Sequence, residues 1–309
     1  MALKTHDLIV VLINWFHAER TVSCIRRFGN WRTLRPGLIV VCNGDTVEGR
    51  AKLREACGKD VMLIEMPENT GFSGANNTGI RRALELGAKR ISLFNTDAEI
   101  AEPDFARLLE AFDNVDGLAA VGPLIVEQRD GGEVVFAGGR DISRWRQTRI
   151  PFHRDAVEAA GTRYRQPDYV MGTAMVSDRT AWEQAGLLDE RYFFSGEVAD
   201  WCERVRALGF QLAVDITARA LHHSNLAGST AREGDYLYYS LRNRFLFAAR
   251  HRSGQRSRFV MRWTAICLGE AAKAMVRGKW VRAGACLSAV RDGLAGSFGR
   301  RRPEQERRA

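Results

Sequence analysis

Four short apolar runs dominate the first third of the chain: "DLIVVLINW" (7–15), "LIVVC" (38–42), "VMLIEM" (61–66) and "ISLFN" (91–95). Each has the length of a strand, and none alternates strictly between apolar and polar residues. A strand that is apolar at successive positions has both faces covered, the pattern of a mostly parallel sheet with helices on either side. Stretches of helical character separate the runs at about 18–28, 48–57, 74–87 and 104–112. This alternation predicts an α/β fold. Ligands in such sheets bind beyond the carboxyl ends of the strands. The polar clusters of this region all fall there: Asn14 and Trp15, Asn43 to Asp45, Glu68 to Gly71, and Asn95 to Asp97.

After residue 115 the rhythm changes. "LAAVGPLIV" (118–126) and "YVMGTAMVS" (169–177) read as further strands, with a Gly- and Arg-rich stretch over 130–165 between them, read as loops or a hairpin near the site. A helix is expected from about 199 to 208, then strands at "QLAVD" (211–215) and "ARALHHS" (218–224). From about 235 the pattern is helical, ending in a polar, frayed tail, "GRRRPEQERRA" (299–309). No internal repeat is evident.

Composition narrows the class. With 309 residues and 45% hydrophobic content, the chain can bury one large core or two modest ones. Its six cysteines are scattered without a Cys-x-x-Cys pair, which predicts neither a zinc site nor a disulfide framework and suits a reducing cytosol. The amino-terminal apolar run is too short for a signal peptide, and no run is long enough to cross a membrane. The net charge of +9 is unevenly spread. Residues 241–309 hold 17 Lys and Arg against 4 Asp and Glu, while residues 1–240 hold 29 against 33. Such a basic tail, with Phe245, Phe247, Phe259, Trp263, Ile266, Leu268 and Trp280 interleaved, suits an anionic membrane surface. The alternative is a helical extension packed on the main domain with its charges solvated. Nucleic acid is not an expected partner, because that role leaves the acidic main region unexplained.

Three segments carry candidate chemistry. "ENTGFSGANNTGI" (68–80) follows a strand and opens a helix, and its glycines at 71, 74 and 79 permit tight turns or close approach to a ligand. It lacks the Gly-x-Gly-x-x-Gly spacing of dinucleotide-binding folds, so a nicotinamide enzyme loses its main support. A capped helix start is the plainer reading. Asp97 could cap a turn. Equally, a carboxylate at a strand end is how a Mg2+ or Mn2+ ion bridging a diphosphate is held, since such ions need only one or two protein carboxylates beside phosphate oxygens. His222 and His223, at another strand end, are the available second ligands. In "LLDERYFFSGEVADWCERVRALGF" (187–210), Asp200 and Glu203 suit a helix amino terminus. A glycine-flanked carboxylate beside aromatic residues is also a plausible general base.

Taken in order, these segments resemble the family-2 glycosyltransferases of the GT-A fold, in particular the rhamnosyltransferase-like branch that builds bacterial cell-surface polysaccharides. The resemblance covers nearly the whole chain. It runs through the end of the first strand at Asn14 and Trp15, "VVCNGD", "ENTGFSGANNTGI", and "LFNTDAEI" as an Asn-x-Asp form of the Asp-x-Asp motif. It continues through "MGTAMVSDRTAWEQAGLLDERYFF" with "GEVADWCERVRALG", then "ALHHS" and "YYSLRNRFLF".

The resemblance implies a GT-A domain over 1–235, its nucleotide-binding half about 1–115 and its acceptor and catalytic half 116–235, followed by a basic amphipathic helical region over 236–309. It implies inverting transfer of a sugar from a nucleotide-diphosphate sugar to a glycan or lipid-linked acceptor, on the cytoplasmic face of the membrane. Asn14, Asn43 and Asp45 would lie near the base. Asn69, Gly71, Phe72, Asn76, Asn77 and Asn95 would border the nucleotide-sugar, and Arg242 and Arg244 would neutralise its phosphates. Asp97, with His222 or His223, would hold the divalent cation. The sequence departs from the family twice. Cys42 precedes Asn43 where an aspartate is usual, which displaces the base-contacting carboxylate to Asp45. Val198 follows Glu197 where the family commonly has Glu-Asp, which leaves Glu197, the first choice, or Asp200 as catalytic base. Two rivals stand beside this reading. A nucleotidyltransferase would need a basic glycine-rich loop after the first strand, and "INWFHAERT" has none. A non-catalytic carbohydrate- or nucleotide-binding relative is the alternative that Val198 raises.

Overall fold

A computed structural model describes residues 7–129, 131–153, 162–223 and 230–301. Its frame is one mixed sheet. Strands β1 (Leu8–Asn14), β2 (Gly37–Asn43), β3 (Val61–Met66) and β4 (Arg90–Asn95) run parallel in the order β3-β2-β1-β4. Side-chain alternation divides β1 between two cores. Leu8, Val10 and Leu12 pack with α1 (Ala18–Gly29), α2 (Val47–Cys57) and α4 (Glu102–Asn114). Ile9 and Val11 pack on the opposite face with α3 (Gly71–Glu85). Double coverage is why β1 and β2 are apolar at successive positions.

The second half extends the sheet. After a three-residue strand β5 (Ala98–Ile100) come β6 (Leu118–Arg129), β7 (Gly132–Gly139), β8 (Arg149–Pro151), β9 (Tyr164–Arg165), β10 (Ala174–Asp178) and β11 (Gln211–His222). β10 lies antiparallel between β4 and β6, and β11 runs parallel to β6 while pairing antiparallel with β5. The Gly- and Arg-rich stretch is a hairpin in its described part, β7 folding back on β6 and then pairing with β8. Residues 130 and 154–161 of that stretch lie outside the described residues. Three expectations are corrected here. The 211–215 and 218–224 strands are one strand, irregular between Asp215 and Arg219, and Ser224 lies outside the described residues. The strand expected at 169–177 pairs continuously only from Ala174, because residues 172–173 turn. The third helix begins at Gly71 rather than Gly74.

Two further helices, α5 (Arg179–Ala185) and α6 (Glu197–Ala207), cover the α3 face, with Trp182 and Trp201 stacked 4.1 Å apart. The carboxyl-terminal helices α7 (Thr230–His251), α8 (Arg256–Val276) and α9 (Trp280–Leu294) form a separate core around Tyr238, Trp263, Cys267 and Cys286. The boundary expected at 235/236 falls inside α7. The polar tail beyond 301 lies outside the described residues. Of the apolar residues interleaved in the basic tail, Phe245, Phe247, Phe259 and Trp263 are buried, and Leu268 and Trp280 are exposed. No helix among the described residues is long and apolar enough to cross a membrane.

Candidate active site

β5 turns the chain sharply after Asp97 and pairs His222 with Ala98, which brings the ends of β4 and β11 together. The His223 amide donates to the Asp97 carbonyl at 2.9 Å. Successive strand residues face opposite ways, so the two histidines part. His222 Nε2 lies 3.5 Å from Asp97 Oδ1, and its Nδ1 lies 3.1 Å from Glu127 Oε1. His223 turns out to Glu99, 3.0 Å away, where Arg27 also pairs. Of the two histidines expected near the ion, His222 faces Asp97, whereas His223 faces the surface carboxylate of Glu99.

Glu127 is the member of this group that sequence reasoning missed. Its side chain is fully buried, held by Arg129 and Arg149 as well as His222. The only signal was a glutamate closing the apolar run "LIVE", 95 residues from its histidine. Burial opposes ionisation of both acids. The His222 bond and charge outweigh it at Asp97, whose carboxyl lies below the usual range. His222 with the two arginines takes Glu127 to about 2. Burial likewise opposes protonation of His222, but its two acidic partners raise it to about 9.

The residues around the other strand ends divide by accessibility. Asp45, Asn69, Phe72, Asn95 and Asp97 are partly exposed. Asn14 is fully buried, donating to Asp45 Oδ2 at 2.6 Å and accepting from the Thr21 hydroxyl at 2.7 Å. Asn43 ties Asn69 and the Gly71 carbonyl, and accepts from the Thr70 amide. Asn76 donates to the Phe72 carbonyl, and Asn77 exchanges two bonds with the Leu188 backbone. Of the four asparagines expected near the nucleotide-sugar, Asn14, Asn43 and Asn77 use their amides to join separate elements, while Asn76 bonds within α3.

Arg242 and Arg244, expected near the phosphates, spend their guanidinium groups on backbone carbonyls and Asn243. Arg242 is almost completely buried, and its guanidinium donates to the carbonyls of Gly299 and Tyr192 and to Asn243 Oδ1. Arg244 reaches the Ile142, Trp145 and Arg146 carbonyls with its face over Trp263. Neither presents a free fork to a phosphate.

The segment before α6 is unusual. Phe193, Ser195 and Gly196 all have positive φ, which L-residues with side chains rarely adopt. Asn243 holds this path by facing the carbonyls of Tyr192, Phe194 and Ser195 with one amide group, at 2.9, 2.8 and 2.6 Å. The Phe193 carbonyl accepts from the Phe72 amide at 2.6 Å. Gly71, with φ of 77°, permits that approach, since a Cβ there would collide with the Phe193 carbonyl.

The two candidate bases then separate. Asp200 is bound by the Tyr192 hydroxyl, Arg204, Arg250 and His251. These four partners make Asp200, the second candidate base, an anchor between α6 and α7. Glu197 is 6% exposed, and its Oε2 has no hydrogen-bond partner. Burial pushes its carboxyl up to about 7. The neighbouring Val198 packs against Gly172, and the adjoining Thr173 carbonyl accepts from the Asn95 amide at 2.9 Å. The helix start that carries Glu197 is thus docked on the β4 end that carries Asp97.

The family model described as "Glycosyl transferase family 2" matches residues 9–178. The chain belongs to that family. It is a glycosyltransferase, and its relatives place it in glycan biosynthesis from nucleotide sugars. It is 25% identical over 242 residues to a low-salt glycan biosynthesis hexosyltransferase of Haloferax volcanii, spanning 78% of this enzyme and 75% of that one. It is 23% identical over 272 residues to the N-acetylglucosaminyl-diphospho-decaprenol L-rhamnosyltransferase of Mycobacterium tuberculosis, covering 80% and 84%. Among solved structures, the mannosyltransferase of Pyrobaculum calidifontis with GDP-Man and Mn2+ superposes with a TM-score of 0.58 at 13% identity, covering 93% of this enzyme and 87% of that chain. GalNAc-T7 with UDP, GalNAc and Mn2+ gives 0.61 at 15% identity, with 93% of this enzyme matching 56% of that longer chain. The expected GT-A fold is that of these structures. Glu197 and His222 both lie beyond the family match.

Proposed function

We propose that the enzyme transfers a hexose, with inversion, from a nucleoside-diphosphate sugar to a hydroxyl of a lipid-linked glycan, and that Glu197 is the base. The observation that carries this is the unpartnered, buried Glu197 oxygen on a braced helix start. A carboxyl near pH 7 can hold either protonation state at working pH, as a general base requires. The Glu197 carboxylate takes the acceptor proton as the acceptor oxygen bonds to the anomeric carbon. The bond from that carbon to the diphosphate breaks, and its electron pair leaves on the nucleoside diphosphate. Attack from the face opposite the leaving group inverts the centre. The same observation favours catalysis over the binding-only alternative, since a binding module has no use for an unpaired buried acid.

The Asp97 and His222 pair fits a divalent cation by its chemistry. It offers one partly exposed carboxylate oxygen and, once an arriving cation displaces the proton that its acidic partners hold on His222, one imidazole nitrogen, both acceptable to Mg2+ or Mn2+. Among the described residues no cluster of three or more such side chains forms a complete cage, which suits a site finished by diphosphate oxygens. Bound there, the ion would neutralise charge on the departing diphosphate. Glu127 orients His222 from behind. Relatives named for rhamnosyl transfer, one of them to a diphospho-decaprenol acceptor and another a dTDP-rhamnosyl transferase of Shigella flexneri, support a rhamnosyl donor and a lipid acceptor. A lipid acceptor calls for work at a membrane surface, which the basic carboxyl-terminal region supports.

The test is transfer by purified enzyme from a panel of nucleotide sugars to a prenyl-diphosphate acceptor, with and without Mn2+. Glu197→Gln should bind donor normally and turn it over slowly. Near-normal turnover by this variant would reject Glu197 as the base.

A further inference from the structure

The carboxyl-terminal helices bury one face and leave another uncovered. On α8 the buried positions are Phe259, Trp263, Cys267, Ala271 and Ala274. Met261, Ala265, Leu268, Ala272, Met275 and Val276 follow the opposite stripe at three- and four-residue spacing, and all are exposed. Val276 is 89% exposed and Met261 67%. A short turn, Arg277 to Lys279, leads into α9, whose first residues Trp280 and Val281 are 68% and 48% exposed. Leu287 and Leu294 continue the apolar side of α9. Soluble surfaces seldom gather so many large apolar side chains in one place without a partner.

The charges beside this stripe share one sign. Arg258, Arg262, Arg277 and Lys279 are exposed and form no ion pair with a described residue. Exposed cations elsewhere on the enzyme commonly have an acidic partner, as Arg146 has Glu270 and Arg300 has Glu68. An apolar stripe with a tryptophan at its end, bordered by unpaired cations, complements an anionic bilayer: apolar side chains enter the acyl boundary while Lys and Arg meet the headgroups. No described helix is suited to span, so the geometry is one of lying on the surface. The surface also lies wholly outside the region matched by the family model.

We infer that the enzyme docks on anionic membranes through the exposed faces of α8 and α9, with Met275, Val276, Trp280 and Val281 as the inserting tip and Arg277 and Lys279 as its headgroup contacts. This rests on the proposed membrane placement and specifies the surface that achieves it. The aromatic residues Phe245, Phe247, Phe259 and Trp263 take no part, since all four are buried.

The experiment is flotation of the full-length enzyme with phosphatidylcholine vesicles, with or without phosphatidylglycerol. Wild type should float with the anionic vesicles and not with phosphatidylcholine alone. Arg277→Gln with Lys279→Gln should lower the partition constant about thirtyfold, at the usual worth of a basic residue near a charged surface. Val276→Ser with Trp280→Ser should abolish flotation while transfer to a soluble acceptor and the melting temperature stay unchanged. If wild type floats and both variants float equally well, the assigned surface is wrong and the membrane placement stands. If wild type does not float, both fall. If wild type sediments as a dimer that the serine variant dissociates, a second copy of the chain covers this face and the inference is overturned.

Discussion

The amide of Asn243 meets the carbonyl of Ser195 at 2.6 Å, two residues before Glu197. This contact links the third helix from the carboxyl terminus to the strained backbone that aims the proposed base. Asn243→Ala removes the donor for three carbonyls without touching ligand. A small misplacement of a reacting group is costly, so kcat should fall about a hundredfold while donor KM changes little. Steady-state kinetics over both substrates checks this, and equal changes in kcat and KM would argue against a positioning role.

The Glu197 carboxyl fixes a pH dependence with two signs. Activity requires the ionised form, so kcat/KM should rise with pH through about 7. Stability runs the other way. Burial favours the protonated acid in the folded state, so stability is fully present below pH 4.5 and declines as pH rises through about 7, by roughly 3 kcal/mol if fully realised. Glu197→Gln should therefore lose about a hundredfold or more in kcat yet melt at a higher temperature than wild type at pH 8. A pH–rate profile and thermal melts at pH 5 and pH 8 test both.

How far the sequence foretold this site depends on the range of the interactions involved. The four parallel strands were readable because burial on both faces is written into contiguous residues such as Leu8 to Leu12. The placement of Asp97 at a strand end followed directly. Arg242 and Arg244 look like phosphate ligands in one dimension, because a guanidinium is suited equally to an anion and to backbone carbonyls. Only the packing of α7 against residues 142–146 and 191–195 decides between them. Glu127 was hidden for the same reason, its histidine lying 95 residues away on the neighbouring strand. His222 and His223 were equivalent in the sequence until the facing of β11 was known.

Strand facing yields a sharp contrast at the proposed metal pair. His222→Ala should raise the Mn2+ concentration needed for half-maximal activity by about 10- to 100-fold. His223→Ala, which loses only an exposed contact to Glu99, should behave as wild type. Calorimetric titration of nucleoside diphosphate with and without Mn2+ separates weaker metal binding from misfolding, since metal-independent affinity should persist in His222→Ala.

Asp200 supplies the converse case, a carboxylate whose loss should be felt in folding before chemistry. It sits among Tyr192, Arg204, Arg250 and His251, and it joins α6 to α7. Asp200→Asn removes the charge but keeps the shape, leaving buried or half-buried cations uncompensated. Breaking such a network costs about 3–5 kcal/mol, so the midpoint of urea unfolding should fall substantially. At a temperature where the variant remains folded, its pH–rate profile should still rise through about 7, because Glu197 retains its burial. A profile flattened by Asp200→Asn with undiminished stability would instead make Asp200 the group that titrates.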